Sequence, residues 1–158
     1  MSTQEAFGRI MNDLGKGESE LAQRIVTTSP DVTVSTNLGG WINKAAVYSA
    51  SVEHIYDESP RLLRWEPKPS GQHIELGISE MNLFMMLGAL GRSSELNDQT
   101  LLPIGTVYDP FVLRGLDAFV HSVYSGARFV VAGTPSGVTL APEGGAHQST
   151  ITASVGME

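Results

Sequence analysis

Apolar residues recur at helical spacing in three stretches of this sequence, and a polar residue or a glycine bounds each stretch. The helices that this pattern predicts span residues 2–16, 79–93 and 110–126. In the first helix the predicted core stripe consists of Phe7, Ile10, Met11 and Leu14. In the second it consists of Leu83, Met86, Leu87 and Leu90. Ser79 and Asp109 are of the residue types that cap helices, and Pro110 suits a first helical turn.

Short runs rich in β-branched residues lie between these helices. A short helix over residues 18–26 leads into a predicted strand over 31–37, where Val32 and Val34 alternate with polar residues. The stretch 38–60 is less periodic and predicts a loop with helical turns. Further strands are predicted at residues 73–77, 100–108 and 127–135. The second half of the chain therefore alternates strands with helices, which favours an α/β domain with a mostly parallel sheet flanked by helices.

Parallel sheets bind their ligands beyond the carboxyl ends of the strands. This rule selects the turns at residues 77–80, 105–111 and 133–148. They contain Glu80, the aromatic residues Tyr108 and Phe111, and the loop residues Glu143 and His147. Each has an ordinary structural explanation, because a first-turn glutamate complements the helix dipole, aromatic residues fill cores and glycine-rich loops lie in solvent. Periodicity and composition alone therefore stop at an α/β domain.

Composition excludes several classes of protein. The chain has 158 residues, of which 41% are hydrophobic, the size of one domain. A net charge of -7 with scattered basic residues argues against a nucleic-acid partner. The absence of cysteine excludes disulfides and thiolate metal sites, and no apolar run has the length of a membrane span. We therefore expect a single cytoplasmic domain over residues 1–158, with neither nucleic acid nor membrane as a partner.

Five segments occur in an order and spacing that resemble a known family. They are STQEAFGRI (2–10), DVTVSTNLGGW (31–41), GQHIELGISEMN (71–82), LLPIGTVYDPFVLRGLDA (101–118) and PEGGAHQST (142–150). Together they resemble the pyrimidine-binding domain of the thiamine-diphosphate enzymes of the transketolase and 2-oxo-acid dehydrogenase superfamily. The similarity spans nearly the whole chain, and the type it resembles best is the decarboxylating component of single-chain pyruvate dehydrogenases, or a related 2-oxo-acid dehydrogenase. The resemblance implies the thiamine-diphosphate-binding fold.

The resemblance also implies residues for the cofactor. In the family, the glutamate that matches Glu80 hydrogen-bonds a ring nitrogen of the cofactor's aminopyrimidine. A carboxyl group half-buried among leucine and methionine side chains is suited to share a proton with that nitrogen. Tyr108 and Phe111 match the aromatic residues that lie against the pyrimidine ring, and we expect Ile78 to line the same pocket.

The substrate side of the site is implied in the same way. His147 matches a loop histidine near the reacting centre, for substrate contact or proton transfer, and Glu143 matches its acidic neighbour. Transketolases carry an arginine in the first helix that grips a sugar phosphate, and Gln4 stands in its place here, with Arg9 and Arg114 as possible substitutes. This departure favours a small 2-oxo acid, pyruvate or a close homologue, over a phosphorylated sugar.

A second departure concerns the phosphate end of the cofactor. The family binds diphosphate and magnesium through a Gly-Asp-Gly motif on a separate domain, and this sequence contains no such motif. The resemblance therefore implies one domain of a longer chain, inactive when isolated. It would share thiamine diphosphate with the diphosphate-binding domain of the same or a second subunit in a homodimer. A lipoyl acyltransferase component would receive the acyl group. The alternatives are a transketolase-like transferase and a non-catalytic dimerisation or regulatory module.

Overall fold

Six short strands form one sheet in which every pair of neighbouring strands is parallel. The computed structural model describes residues 2–51, 65–134, 144–149 and 152–155. The strands are β1 (Ile25–Ser29), β2 (Val47–Tyr48), β3 (Pro67–Lys68), β4 (His73–Glu75), β5 (Leu102–Val107) and β6 (Val130–Gly133). Their order across the sheet is β3-β2-β4-β1-β5-β6. The α/β class and the parallel sheet are confirmed.

Helices cover this sheet through two separate hydrophobic clusters. The helices are α1 (Thr3–Leu14), α2 (Glu20–Arg24), α3 (Gly39–Ala45), α4 (Glu80–Leu90), α5 (Ser93–Asn97) and α6 (Leu116–Tyr124). The first cluster joins α1 and α3 to the sheet, and the second joins α4 and α6 to it. Ile104 belongs to the first cluster and Val107, three residues later, belongs to the second. Side chains of a strand alternate between faces, so the two clusters lie on opposite faces of the sheet.

Serine side chains cap α1 and α4, whereas the apolar stripes predicted for these helices are only partly buried. Ser2 accepts the backbone N–H of Glu5, and Ser79 accepts that of Asn82. Leu83 and Leu87 of α4 are fully buried, as predicted. Ile10 is exposed, so its assignment to the core stripe of α1 was wrong. No helix in the described ranges is both long enough and apolar enough to span a bilayer.

The strand predicted at residues 31–37 was wrong. The strand of this region is β1, which ends at Ser29, and residues 31–37 form turns instead. The hydroxyl of Thr36 donates to the carbonyl of Val32 at 2.9 Å, and Asp31 has a φ of 63°. Such local hydrogen bonds from threonine compete with strand pairing.

The helix and the loop predicted on either side of these turns also need correction. The short helix ends at Arg24, because Ile25 and Val26 belong to β1. The stretch predicted as a loop contains α3 and β2. Its residues 52–60 lie outside the described ranges.

The third predicted helix begins as a 3₁₀ segment, Asp109–Gly115, before α6. Asp109 is therefore the first residue of this segment, and the N-cap position belongs to Tyr108, which corrects the predicted cap. A Cβ atom at Gly115 would lie 2.4 Å from Cδ2 of Phe84 and 2.6 Å from the carbonyl oxygen of Glu80. The segment thus packs directly on the first turns of α4.

The strand order brings three loops together at the carboxyl edge of the sheet. These loops follow β4, β1 and β5, which are neighbours in that order. The chain leaves β1 toward β2 on one side and leaves β5 toward β6 on the other. The crevice between β1 and β5 is therefore a topological switch point, where ligands of open parallel sheets bind.

Candidate functional site

Glu80 is a buried carboxylate at this edge of the sheet. It is the first residue of α4 and is only 7% exposed. The turn that leads to it from β4 has Gly77 at a φ of 65°, a conformation that favours glycine. The sequence predicted that this carboxyl group is half-buried among the apolar side chains of the helix, and its burial is confirmed.

Arg114 is the charged partner of Glu80. Its Nη1 lies 3.5 Å from Oε1 of Glu80, and its guanidinium carbon lies 3.8 Å from the centroid of the Phe111 ring. Burial penalises a charged carboxylate, and a neighbouring guanidinium stabilises it. Arg114 therefore gives the buried carboxylate a charged partner.

The 3₁₀ segment explains how Tyr108, Phe111 and Arg114 come together. A 3₁₀ helix has three residues per turn, so side chains three apart lie above one another. The Tyr108 and Phe111 rings are nearly parallel, with 19° between their planes and 5.9 Å between their centroids. The spacing of three was visible in the sequence, and it predicts that these side chains lie on one side of the segment.

The loop histidine completes this group of side chains. His147 lies in the short 3₁₀ segment Gly145–His147. Its ring centroid is 5.6 Å from that of Tyr108 and 5.3 Å from that of Phe111, edge-on to both. The structure thus brings four of the six predicted site residues, Glu80, Tyr108, Phe111 and His147, into one group connected through Arg114.

Of the other two predicted site residues, one is exposed to solvent and one lies outside the described residues. Ile78 is 79% exposed in the turn before α4, and Glu143 lies outside the described ranges. Gln4, which stands in place of the sugar-phosphate arginine, donates from Nε2 to the carbonyl oxygen of Ser35 at 2.5 Å. Arg9 pairs with Glu5 on the exposed side of α1.

Sequence reasoning missed a second polar group on the opposite face of this edge. A cavity of about 450 Å³ is lined there by Thr33, Ile42, Val47, Trp65, His73 and Glu75, among other residues. His73 is fully buried, and the carboxylate of Glu75 is partly exposed. The only sequence signal for this group was a pair of polar residues inside a strand that is otherwise apolar.

The close packing beneath Glu80 leads to a stability prediction. We expect Gly115→Ala to lower the free energy of unfolding by about 1–3 kcal/mol, because the added methyl group overpacks the contact with Phe84 and the Glu80 carbonyl. Urea unfolding of both forms measures the difference. Gly17→Ala is the control, since the nearest atom to its Cβ would be 3.6 Å away. Equal stability of the two variants would show that α4 yields at this contact without cost.

Taken together, a buried carboxylate with a guanidinium partner lies beside two aromatic rings at the switch point of the sheet. Such a site suits a flat, nitrogen-containing ring, which the carboxylate can hydrogen-bond and the aromatic rings can contact.

Comparisons with known proteins identify the family. The family described as "Pyruvate dehydrogenase E1 component middle domain" matches residues 1–155. Two curated proteins named "Pyruvate dehydrogenase E1 component", from Corynebacterium glutamicum and Mycolicibacterium smegmatis, are each 25% identical, over 153 and 152 residues. Each alignment covers 93% of this chain and 16% of the relative, so the chain spans about a sixth of those relatives' length.

A solved structure, "Transketolase from Leishmania mexicana", supports the fold. It superposes with a TM-score of 0.71 at 16% identity, covering 96% of this chain and 19% of that chain. Its similarity agrees with the order of elements described above. Because the family match extends over almost every residue, this chain belongs to the family of the pyruvate dehydrogenase E1 component middle domain.

Proposed function

We propose that this chain is the pyrimidine-binding domain of a thiamine-diphosphate-dependent enzyme that decarboxylates a 2-oxo acid, pyruvate or a close homologue. The observation that carries the proposal is the burial of Glu80 at the switch point beside Tyr108 and Phe111. The names of the relatives support the choice of a pyruvate dehydrogenase over other members of the superfamily.

The residues of the edge fit the aminopyrimidine half of the cofactor. The Glu80 carboxyl group can share a proton with a ring nitrogen, and the rings of Tyr108 and Phe111 offer about 1 kcal/mol per aromatic contact beyond the burial of area. The diphosphate and magnesium are assigned to a diphosphate-binding domain of the same or a second subunit. The complete site would then form between two domains, in a homodimer.

Each residue of the group has a role in this scheme. Thiamine diphosphate, when bound, supplies the carbon nucleophile and the electron sink that decarboxylation needs. Glu80 holds the proton that is shared with the pyrimidine nitrogen, and the apolar helix behind it excludes water. Arg114 stabilises the charged carboxylate when that proton moves away. Tyr108 and Phe111 orient the ring, and His147 contacts the substrate or transfers a proton to it.

Full-length enzyme assays separate this function from that of a transketolase. We expect carbon dioxide release from pyruvate in the presence of an electron acceptor, and acyl transfer when a lipoyl acyltransferase is added. The bond from Gln4 to the Ser35 carbonyl supports this expectation, because the side chain in the place of the sugar-phosphate arginine is neutral and engaged. Faster turnover of phosphorylated ketoses than of pyruvate would favour the transferase.

A non-catalytic dimerisation or regulatory module is the second candidate, and the surface of α4 and α6 favours it. Among the described residues of these two helices, the exposed large apolar side chains are Met81, Met85, Val120, Val123 and Tyr124. Exposed apolar surface of this extent marks an interaction site. The surface also fits the first candidate, in which partner domains cover this side of the chain, so only cofactor binding separates the two.

The same surface predicts self-association of the isolated chain. We expect the sedimentation coefficient to rise with protein concentration, and we expect Met85→Lys to reduce that rise because a charge is costly in an apolar contact. Ile10→Lys is the control, since Ile10 is an equally exposed apolar residue on α1. A clean monomer at all concentrations, or an equal effect of both variants, would contradict this prediction.

A further inference from the structure

Glu75 is a carboxylate that the proposed chemistry does not use, yet it gathers four hydrogen-bond donors at the end of β4. Its Oε1 accepts the backbone N–H of Asp31 at 2.7 Å and that of Leu76 at 3.1 Å. Its Oε2 accepts the hydroxyl of Thr33 at 2.8 Å and lies 3.4 Å from Nε2 of His73. A carboxylate offers about four acceptor sites, so this one is fully used.

The buried histidine beside Glu75 lies in a network of polar side chains. The indole N–H of Trp41 donates to the hydroxyl oxygen of Thr27 at 2.9 Å. The Thr27 hydroxyl lies 2.8 Å from Nδ1 of His73. On the other side of the ring, Nε2 of His73 lies 3.3 Å from the Thr33 hydroxyl and 3.4 Å from Oε2 of Glu75. A continuous chain of hydrogen bonds thus runs from α3 through β1 and β4 to the Glu75 carboxylate.

The loop that Glu75 binds adopts a strained conformation. Asp31 has a φ of 63°, in the left-handed region that favours glycine. The hydrogen bonds from the Asp31 N–H and the Thr33 hydroxyl hold this loop in place. The loop follows β1, so it lies between the turn that carries Glu80 and the strand end that carries Tyr108. It forms the middle of the carboxyl edge.

We propose that Glu75 is a positioning residue, whose carboxylate holds the loop after β1 (residues 30–38) against the turn that leads into Glu80. It acts through the backbone N–H of Asp31 and the hydroxyl of Thr33 in the loop, whereas the N–H of Leu76, the next residue, is shared with the carbonyl oxygen of Ser29 at 3.1 Å. It thereby sets the separation between the loop and the carboxylate of α4. The importance of this separation for catalysis rests on the proposed function. The clamp, by which we mean the hydrogen bonds that Glu75 accepts from the loop, does not rest on it.

The electrostatics of Glu75 agree with this role. Burial alone would raise the pKa of its carboxyl group, but the hydrogen bonds from His73, from the Asp31 backbone and from Thr33 together hold that pKa below its ordinary value of 4.5. The ionisable side chains that line the same cavity are Asp31 and His73. Because the pKa is lowered on folding, the clamp contributes stability above pH 4.5 and loses it as the pH falls through the lowered value.

Hydrogen–deuterium exchange of the full-length protein without cofactor tests the clamp. In Glu75→Ala we expect exchange to become about tenfold faster in peptides covering residues 30–38, and to stay unchanged in the peptides of α6. Thr33→Val removes a single donor and should give a smaller increase in the same peptides. Glu95→Ala is the control, because this exposed carboxylate pairs only with Arg92 among the described residues.

Two outcomes would overturn the proposal. One is unchanged exchange at residues 30–38 in Glu75→Ala, and the other is an equal increase across the whole domain. The second would mean that Glu75 stabilises the fold without positioning the loop. Binding of thiamine diphosphate by the wild-type protein is measured separately. If the wild-type protein bound no thiamine diphosphate, the proposed function would be wrong. The exchange rates would still decide whether Glu75 holds the loop in place.

The pH dependence gives a second readout. We expect the melting temperature of the wild-type protein to exceed that of Glu75→Gln at neutral pH, and the difference to narrow as the pH falls below 4.5. An amide cannot accept hydrogen bonds through its nitrogen, so the variant imitates a protonated carboxyl group at all pH values. A melting difference that stays constant through the acid range would contradict the ionised clamp.

Discussion

Replacing Glu80 with glutamine is expected to abolish decarboxylation of the 2-oxo acid while leaving thiamine diphosphate bound. Glutamine has nearly the same shape as glutamate and can still hydrogen-bond the cofactor ring, but it cannot give up or take a proton. Proton transfer by a positioned side chain contributes about 10²–10⁴-fold to a rate, so the turnover number should fall by that factor. The burial of Glu80 makes rescue by bulk water ineffective.

Calorimetry and steady-state kinetics on the full-length enzyme measure this effect. We expect the dissociation constant of thiamine diphosphate with magnesium to change little and the turnover of pyruvate to collapse. Glu95→Gln is the matched control, since Glu95 also occupies a first helical turn but is exposed and pairs with Arg92 at 3.0 Å. If Glu80→Gln kept full turnover, Glu80 would be a helix-end carboxylate and nothing more. If it bound no cofactor, the carboxylate would be a binding residue first.

Replacing Phe84 with alanine is expected to lower the free energy of unfolding by about 3–5 kcal/mol. Phe84 is completely buried in the cluster that joins α4 and α6 to the sheet. Its ring meets that of Phe119 edge-on, with 5.3 Å between the centroids. Gly115 packs directly against the Phe84 ring, so the resulting cavity opens beneath the 3₁₀ segment that carries Phe111 and Arg114.

Urea unfolding followed by circular dichroism measures the loss. Met85→Ala is the control from the next position of the same helix, because Met85 is 60% exposed and should cost far less on truncation. A loss below about 1 kcal/mol for Phe84→Ala would mean that α4 and α6 collapse to fill the cavity. A loss equal to that of Met85→Ala would contradict the burial of Phe84.

The elements that the sequence predicted well are those with strong local patterns. The α4 helix has a serine cap, an apolar stripe and a glycine at its end, and β5 and β6 are runs of apolar and β-branched residues. The strand β1 was missed because it lies between two other strands and is almost entirely buried. A central strand that is buried on both faces lacks the alternation of apolar and polar residues that marks a half-buried strand. Val32 and Val34 do alternate with polar residues, but they lie in turns.

The candidate site, too, was predicted only in part from the sequence. The resemblance selected six residues, and the structure brings four of them, Glu80, Tyr108, Phe111 and His147, into one group through Arg114. The partnership of Glu80 with Arg114 joins α4 to a 3₁₀ segment, and the two residues are 34 positions apart in the chain. Gly115 of this segment packs directly on the first turns of α4.

By itself, the sequence of this protein determined the class of the fold, the serine cap of α4 and the residue types available for a cofactor. Tertiary structure alone decided which of those residues meet. The hydrogen bonds that Glu75 accepts from Asp31 and Thr33 join residues more than 40 positions apart, and they exist only because β1 and β4 pair in parallel. Local propensity acts over one or two turns of chain, whereas pairing of distant strands is set by burial of the whole sheet.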